Sequence, residues 1–559
     1  MPRATSASTE ICSIVVASKP CLSNSATALR ANWSRVRSRL RVFRSAKGSA
    51  QSLNSVQFCT TSISGQSTGW MLVNKPVVVV GAGLAGLSAA NALARAGHRV
   101  VLAEAGDAHG GCCSTTAVDG FTFNNGAVYV AVPSLLRRGF ARLGLDLDAE
   151  LRLVAIADPI ESHLEDGSVV HLASADTAWV DGPRAQSRTE ILQHGLARLR
   201  RQWGPVYRTL VEDVLPHEPT LWRALLRLGR YLPRMRGHVD SLIEDCFPDP
   251  GVQAAVSAVL LYSGIAPERL PATQIIGLMA LLEEGFHLPE GGMGAVTDAL
   301  FRYLPRPDVD VRLGQAVRRI DVAGGRVRGV LLADGERIET QHVLATTSGF
   351  DVVRNLLPPG SIPRRLARIC RDAPLSHRAV SIQLGCSGVA APGAFIVNHV
   401  PAMAHQWRMH RRPSSAPDWL SWTVPTRVLP TLAGAGKSIV ELYAPATGID
   451  TAADWSPDMT DSAVRLHVEA LRRRMPGLDI ETMRVVDPRA FAGPRHLYEG
   501  ALYGIAPGTA PNRLFPHRSG IPGLYLAGQT TFPGYGVSTA VWSGLQAVDA
   551  MLQDDRRRG

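Results

Sequence analysis

The sequence has no uninterrupted apolar run of about 18 residues, the length a helix needs to cross a bilayer, which excludes a transmembrane helix. Cysteine is sparse: eight in 559 residues, none in a CxxC or Cys…His ligand spacing. With no secretory apolar segment either, a disulfide scaffold or zinc site has no support, and a reducing, cytoplasmic setting follows. Acids are nearly missing from residues 1–70, where Glu10 faces nine basic side chains. That stretch supplies +8 of the formal net charge of +11, so the remainder is almost balanced and offers no footprint for nucleic acid. Lysine is rare as well: from Met71 onward, Lys75 and Lys437 stand against 48 arginines.

Residues 1–70 also carry fifteen serines and no sustained apolar period. Arg-rich, Ser-rich, acid-poor composition is that of a plastid or mitochondrial transit peptide. The arginine bias, typical of a GC-rich gene, offers a second reading, in which translation starts at Met71. A functional tail is the third. Under all three the extension stands apart from the fold.

What is present begins at Lys75: "KPVVVVGAGLAGLSAANALARAGHRVVLAE". Val77–Val80 reads as a strand buried on both faces. Gly81-x-Gly83-x-x-Gly86 follows, then Leu87, Ala90, Leu93 and Ala94 at helical spacing, a second strand at Arg99–Leu102, and Glu104. A lone GxGxxG is weak, but here its whole context is present. Gly81 allows the tight turn, Gly83 lets backbone approach a pyrophosphate, and Gly86 lets helix pack on strand. Leu84 and Ala85 open a helix whose free N–H groups attract that pyrophosphate. Glu104 is placed to accept from a ribose hydroxyl. The pattern predicts a dinucleotide site.

Three further stretches separate FAD from NAD. "GGCCSTTAVDGFTFNNG" runs from Gly110 and Gly111 to Gly126; "FHLPEGGMGAVTDALFRYL" starts at Phe286; "GLYLAGQTTFPGYGVSTAVWSG" runs through Gly528 and Gly536. Together they resemble the phytoene desaturase, carotenoid isomerase and retinol saturase group within the amine oxidase-like flavoprotein superfamily, over about Lys75 to Leu552. The resemblance implies FAD as cofactor. It also implies cofactor contacts at Gly110, Gly111 and Cys112, backbone near Val317 against the adenine, and Gly528, Gln529, Gly536 and Val537 at the flavin. The Arg that often follows the Gly pair in this group is Cys112 here, and its Asp is Asn124. A metal at Cys112-Cys113 lacks partners, a vicinal disulfide is strained, and covalent flavin attachment would need the ring rather than the pyrophosphate nearby. Cys113 reads as a packing residue.

Because the FAD motifs are scattered, the expected fold is α/β: a Rossmann-like FAD-binding domain built from discontinuous segments, interleaved with a mixed α+β substrate domain. The expected boundaries give FAD-binding segments 71–150, 285–349 and 496–559, and substrate segments 151–284 and 350–495. The first insert reads as largely helical, with Leu192, Leu196, Leu199 and Trp203 on one face. Its stretch "PTLWRALLRLGRYLPRMRG" sets Leu221, Trp222, Leu225, Leu226, Leu228 and Leu232 beside Arg223, Arg227, Arg230, Arg234 and Arg236. That is either a helix packed on its own domain or a peripheral contact with an anionic membrane. In the second insert His399, His405, Trp407, His410, Trp419 and Trp422 read as ordinary packing or as the lining of an apolar tunnel. No metal site is expected.

The resemblance implies an FAD-dependent oxidoreductase acting on carbon–carbon bonds of a long apolar polyene or isoprenoid such as a carotenoid or retinoid, by desaturation, saturation or cis–trans isomerisation. The flavin would carry the chemistry, and no catalytic side chain is singled out. Glu283, Glu284 and Glu499 read as ion-paired or solvated acids rather than proton carriers. Two alternatives stand beside this reading: an amine oxidase or protoporphyrinogen oxidase-like enzyme, and a non-enzymic escort-type lipid-binding protein on the same fold.

Overall fold

Four β-branched valines with no polar break make Val77–Val80 a strand that fits only where both faces are covered. In the computed structural model it is the middle of a five-stranded parallel sheet, in the order Val309–Arg312, Val100–Ala103, Val77–Val80, Val343–Ala345, Leu524–Leu526. The structure describes residues 75–558, apart from 175, 266–268, 389–392, 401–418, 478 and 494. Residues 1–74, and with them the expected extension, lie outside the described residues, as do His405, Trp407 and His410.

Those five strands come from three stretches far apart in sequence. Helix Leu84–Arg95 follows the central strand and buries Leu87, Ala90, Leu93 and Ala94, while Gly97 lies just past its end. The last helix, Val537–Arg556, packs against it. The arrangement is α/β and Rossmann-like, built from discontinuous segments.

Between these stretches the chain builds a mixed eight-stranded sheet. Its order is Asp479–Val486, Arg378–Ser387, Lys437–Ala446, Leu420–Thr423, Ile396–His399, Ile160–His163, Val169–Leu172, Trp179–Asp181. Side chains alternate between its faces. Ile382, Val440, Leu442, Leu420 and Trp422 share a core with Val468 and Leu471 of helix Pro457–Arg474. The opposite face carries Ser381, Gln383, Glu441, Tyr443, Ser421 and Thr423 in register.

The first insert is largely helical from Ala185 onward, as its spacing predicts, but it also holds strands that the sequence does not announce. Three strands, Ile160–His163, Val169–Leu172 and Trp179–Asp181, precede its helices and join the large sheet. The turn at Asp166-Gly167 marks a hairpin: Gly167 has φ +85°, and Ser168 N–H donates to Asp166 Oδ1 at 3.0 Å. Helix Ala185–Thr209 then buries Leu192, Leu196, Leu199 and Trp203 along one face.

Candidate active site

The turn after the central strand shows what each glycine is for. Gly81 N–H donates to Ala103 O at 2.7 Å, at φ +100°, a conformation that favours glycine. A Cβ on Gly86 would fall 1.8 Å from Gly81 O, so helix and strand meet this closely only with glycine there. Gly83 differs. A Cβ on it would meet nothing within 4 Å, and its φ of −76° suits any residue. The protein's own packing therefore leaves space above Gly83, in front of a helix that no side chain caps. Backbone N–H groups at Leu84, Ala85 and Gly86 open that helix, a setting that fits a phosphate.

The other expected contacts are drawn to the same end of the sheet. Gly110 forms a parallel bridge with Gly83 and donates to Ala82 O at 2.9 Å. A Cβ on Gly111 would sit 3.6 Å from Gly83 Cα. Glu104 Oε2 accepts from Ala82 N–H at 2.6 Å and Oε1 from Gly106 N–H at 2.9 Å, so its carboxylate shapes the glycine turn. Gln315 N–H donates to Glu104 O at 2.8 Å, which leads the buried Val317 in from the adjoining segment. At the last strand Gly528 N–H donates to Ser543 Oγ at 3.0 Å. Gly536 opens helix Val537–Arg556, again with no side-chain cap, and Gln529 lies beside Gly504.

Sequence reading missed the residue that ties the first and last segments. Thr346 Oγ1 donates to Val80 O at 2.8 Å and lies 3.1 Å from Gly81 O, while Thr346 O sits where a Cβ on Gly528 would reach 2.8 Å. Its only signal was its place at the end of the strand "VLATT".

Cys112 and Cys113 are both free thiols. Burial raises both pKa values, so neither is a thiolate nucleophile at neutral pH. Cys113 is 3 % exposed, and its Sγ donates to Met293 O at 3.3 Å. Cys112 packs beside Val486, Phe491 and Leu497.

A polar network next to this pair was also missed. Asn124 Oδ1 accepts from Met293 N–H at 2.9 Å. Asn124 N–H donates to Glu441 Oε1 at 3.3 Å, and Gln383 Nε2 donates to the same oxygen at 3.2 Å. Desolvation pushes the Glu441 carboxyl up to about 7, against the hydrogen bonds and the Arg484 charge. By contrast, Glu283 is held by Arg200 at 3.0 Å and Arg208 at 2.9 Å, Glu284 by Tyr207 Oη at 2.6 Å, and Glu499 by Ala452 N–H at 2.8 Å.

A file of rings leads away from the C-terminal glycine turn. Tyr535 stacks on Tyr503 at 4.4 Å, Tyr503 meets His377 at 5.4 Å, and His377 meets Tyr443 at 5.8 Å. Tyr443 then contacts Trp419 and Tyr262, each at 5.5 Å. Of the aromatics expected to line a tunnel, Trp419 joins this file. Trp422 and His399 do not: they stack on each other at 5.3 Å on the far side of the large sheet, because the strand period of two turns Trp422 away from Ser421.

Asp158, Glu161 and His171 bring ligand-type atoms within 4.8 Å of one another. Burial raises the Asp158 pKa against the pull of His171 and Arg427, whereas the Glu161 pKa is lowered despite its burial, because Glu161 lies 3.0 Å from His163 and accepts from Ala394 N–H at 3.1 Å, with Arg427 nearby. We read this cluster as ion pairing.

The sequence matches the family described as flavin containing amine oxidoreductase over residues 84–552. It is 30% identical over 500 residues to a phytoene dehydrogenase of Streptomyces griseus, covering 85% of this chain and 94% of that one. A zeta-carotene-forming phytoene desaturase of Myxococcus xanthus is 26% identical over 504 residues, with 85% and 93% covered. Among solved structures, a putrescine oxidase with bound putrescine superposes with a TM-score of 0.57 at 15% identity, covering 86% of this chain and 99% of that one, a likeness of fold. The open space above Gly83 and the two uncapped helix starts fit the phosphates and the ring of the cofactor this family uses. The chain belongs to the flavin-containing amine oxidoreductases and is an FAD-dependent oxidoreductase.

Proposed function

We propose that this enzyme desaturates, saturates or isomerises carbon–carbon bonds of a long apolar polyene or isoprenoid, with Gly81–Gly86, Glu104, Gly110, Gly111, Val317, Gly528, Gln529, Gly536 and Val537 holding FAD. The file of rings from Tyr535 to Trp419 carries this reading. Rings set edge and face in sequence give a long apolar molecule continuous contact. The amine oxidase alternative fits less well, since Tyr503 and Tyr535 lie ring on ring at 4.4 Å and leave no slot for an amine between them. Relatives named phytoene dehydrogenase and desaturase support the same choice.

FAD, when bound, supplies hydride transfer to or from carbon. The rings hold and orient the substrate and exclude water. Glu441, on the inner face of the large sheet with its carboxyl poised near neutrality, can hold the proton that leaves or joins the neighbouring carbon. The test is expression of the full chain in a polyene-producing host with mass analysis of the pigments. A product differing by two hydrogens, or an isomer of equal mass, supports the proposal. Unchanged pigments from a flavin-loaded protein that amines reduce would defeat it.

An apolar substrate dissolved in lipid calls for a membrane contact, which we place at helix Leu221–Leu228. Trp222 is 67% and Leu226 68% exposed, one turn apart, while Leu228 and Tyr231 turn inward. Arg223, Arg227, Arg230, Arg234 and Arg236 lie in the same stretch of sequence. This matches an interfacial helix on the cytoplasmic face of an anionic membrane. Full-length protein should sediment with phosphatidylglycerol vesicles, and Trp222→Asp/Leu226→Asp should not. Equal sedimentation of both would remove the contact from this helix.

A further inference from the structure

Two arginines beside the glycine pair have no carboxylate in direct contact among the described residues. Arg484 lies on strand Asp479–Val486, and Arg495 follows the short helix Pro488–Ala492. Both are half-buried, and desolvation pulls both guanidinium pKa values down. Among the described residues neither forms a salt bridge, unlike Arg188, Arg312 and Arg518. Their hydrogen-bond partners are neutral amides, and Glu441 acts on Arg484 electrostatically with Gln383 between them. Arg484 Nη1 donates to Gln383 Oε1 at 2.8 Å. Arg495 Nη2 at 2.8 Å and Arg484 Nη2 at 3.4 Å converge on a single oxygen, Asn125 Oδ1. Like charges gathered on one neutral acceptor repel, and Arg495 is a cause of the lowered Arg484 pKa. Buried charge is retained where an opposite charge completes it.

The network points to the cofactor groove. Asn125 Nδ2 donates to Ser114 Oγ at 2.8 Å, and Ser114 Oγ donates to Gly111 O at 2.7 Å. Gly111 itself faces Gly83. The thiol beside Arg495 is Cys112, whose pKa that arginine works to lower. Position 112 is where the resembled group often places its own arginine.

We propose that Arg495, with Arg484, forms an anion site for FAD, supplying from the substrate domain the cation that Cys112 does not. The complementary charge is an anionic oxygen of the cofactor, either on the pyrophosphate or on the reduced ring. The same geometry gives the arginines a second duty: FAD bound to them joins the two domains across the groove. The inference rests on FAD occupying the groove beside Gly83 and Gly111. A full-length chain that binds no FAD at all fails that reading, whereas normal binding by the arginine variants fails only this one.

The test uses deflavinated full-length protein, with dissociation constants for FAD and ADP, the flavin midpoint potential and the melting temperature of the apoprotein. Arg495→Met should weaken FAD at least tenfold with little change in apoprotein melting. Adding Cys112→Arg to Arg495→Met should recover most of the loss, whereas Cys112→Arg alone should weaken binding by crowding a third cation. Loss of ADP affinity in parallel assigns the pyrophosphate; unchanged ADP affinity with a lowered potential assigns the reduced ring. Arg495→Lys keeps the charge and should hold FAD within a few fold, which guards against a variant that merely unfolds. Wild-type FAD affinity and potential in both Arg495→Met and Arg484→Met would overturn the proposal. Equal losses in Arg495→Met and Arg495→Lys, with no rescue by Cys112→Arg, would overturn it too.

Discussion

Replacing Gly83 by alanine separates what the fold needs from what the cofactor needs. The backbone at Gly83, φ −76° and ψ −175°, is open to alanine, and the new methyl meets nothing within 4 Å. Without FAD the variant should be as stable as the parent, or more stable by roughly 0.4–1 kcal/mol, because alanine restricts the unfolded chain. With FAD the methyl projects into the space where the pyrophosphate would lie. Overpacking typically costs about 1–3 kcal/mol, or roughly a 5- to 150-fold weaker complex. The assay is melting of the deflavinated full-length protein, followed by FAD titration through flavin fluorescence. Unchanged FAD affinity would refute the reasoning, because it would mean that the space above Gly83 is not where the cofactor lies. A destabilised apoprotein would refute the steric part.

Gly86→Ala should behave in the opposite way: its Cβ falls 1.8 Å from Gly81 O, so the backbone must move and melting should drop even without FAD, which calorimetry of the apoprotein checks. Cys112→Ser/Cys113→Ser should leave flavin content and turnover nearly unchanged, since both thiols are protonated and neither has a nucleophile's setting; loss of flavin on purification would contradict this. Glu441→Gln tests the raised carboxyl, which faces Arg484, Gln383, Thr423 and the Asn124 N–H. A carboxyl with a raised folded pKa contributes stability below its unfolded pKa and loses it as pH rises through about 7. The variant should therefore gain on the parent in melting temperature from pH 5 to pH 8, and a pH-independent difference would count against a buried neutral Glu441.

The parts of the molecule fixed by local chemistry were legible in the sequence. A strand, a glycine turn and a helix adjacent along the chain announced the dinucleotide groove, and helical spacing announced the buried face of Ala185–Thr209. What long-range pairing decides was not legible. Thr346 acts on Val80 and Gly81 across more than 260 residues, and Arg495 reaches Asn125 across 370. No spacing rule connects such positions. The strands at Ile160–Asp181 were missed for a different reason: they are short and partly polar, and only the Asp166-Gly167 turn marked their hairpin. Trp419 and Trp422, three residues apart, looked equivalent in sequence, yet the strand period sends them to opposite faces.

The central claim, that FAD here works on carbon–carbon bonds of an apolar polyene, is tested most directly by the flavin spectrum of the purified full-length protein under anaerobic conditions. Oxidised enzyme mixed with a saturated polyene precursor should lose its long-wavelength flavin band, or enzyme reduced beforehand should convert a polyene to a product of altered hydrogen count or altered geometry. A primary or diamine substrate should leave the oxidised spectrum unchanged. Bleaching by the amine with no response to any polyene, in either oxidation state, would contradict the account.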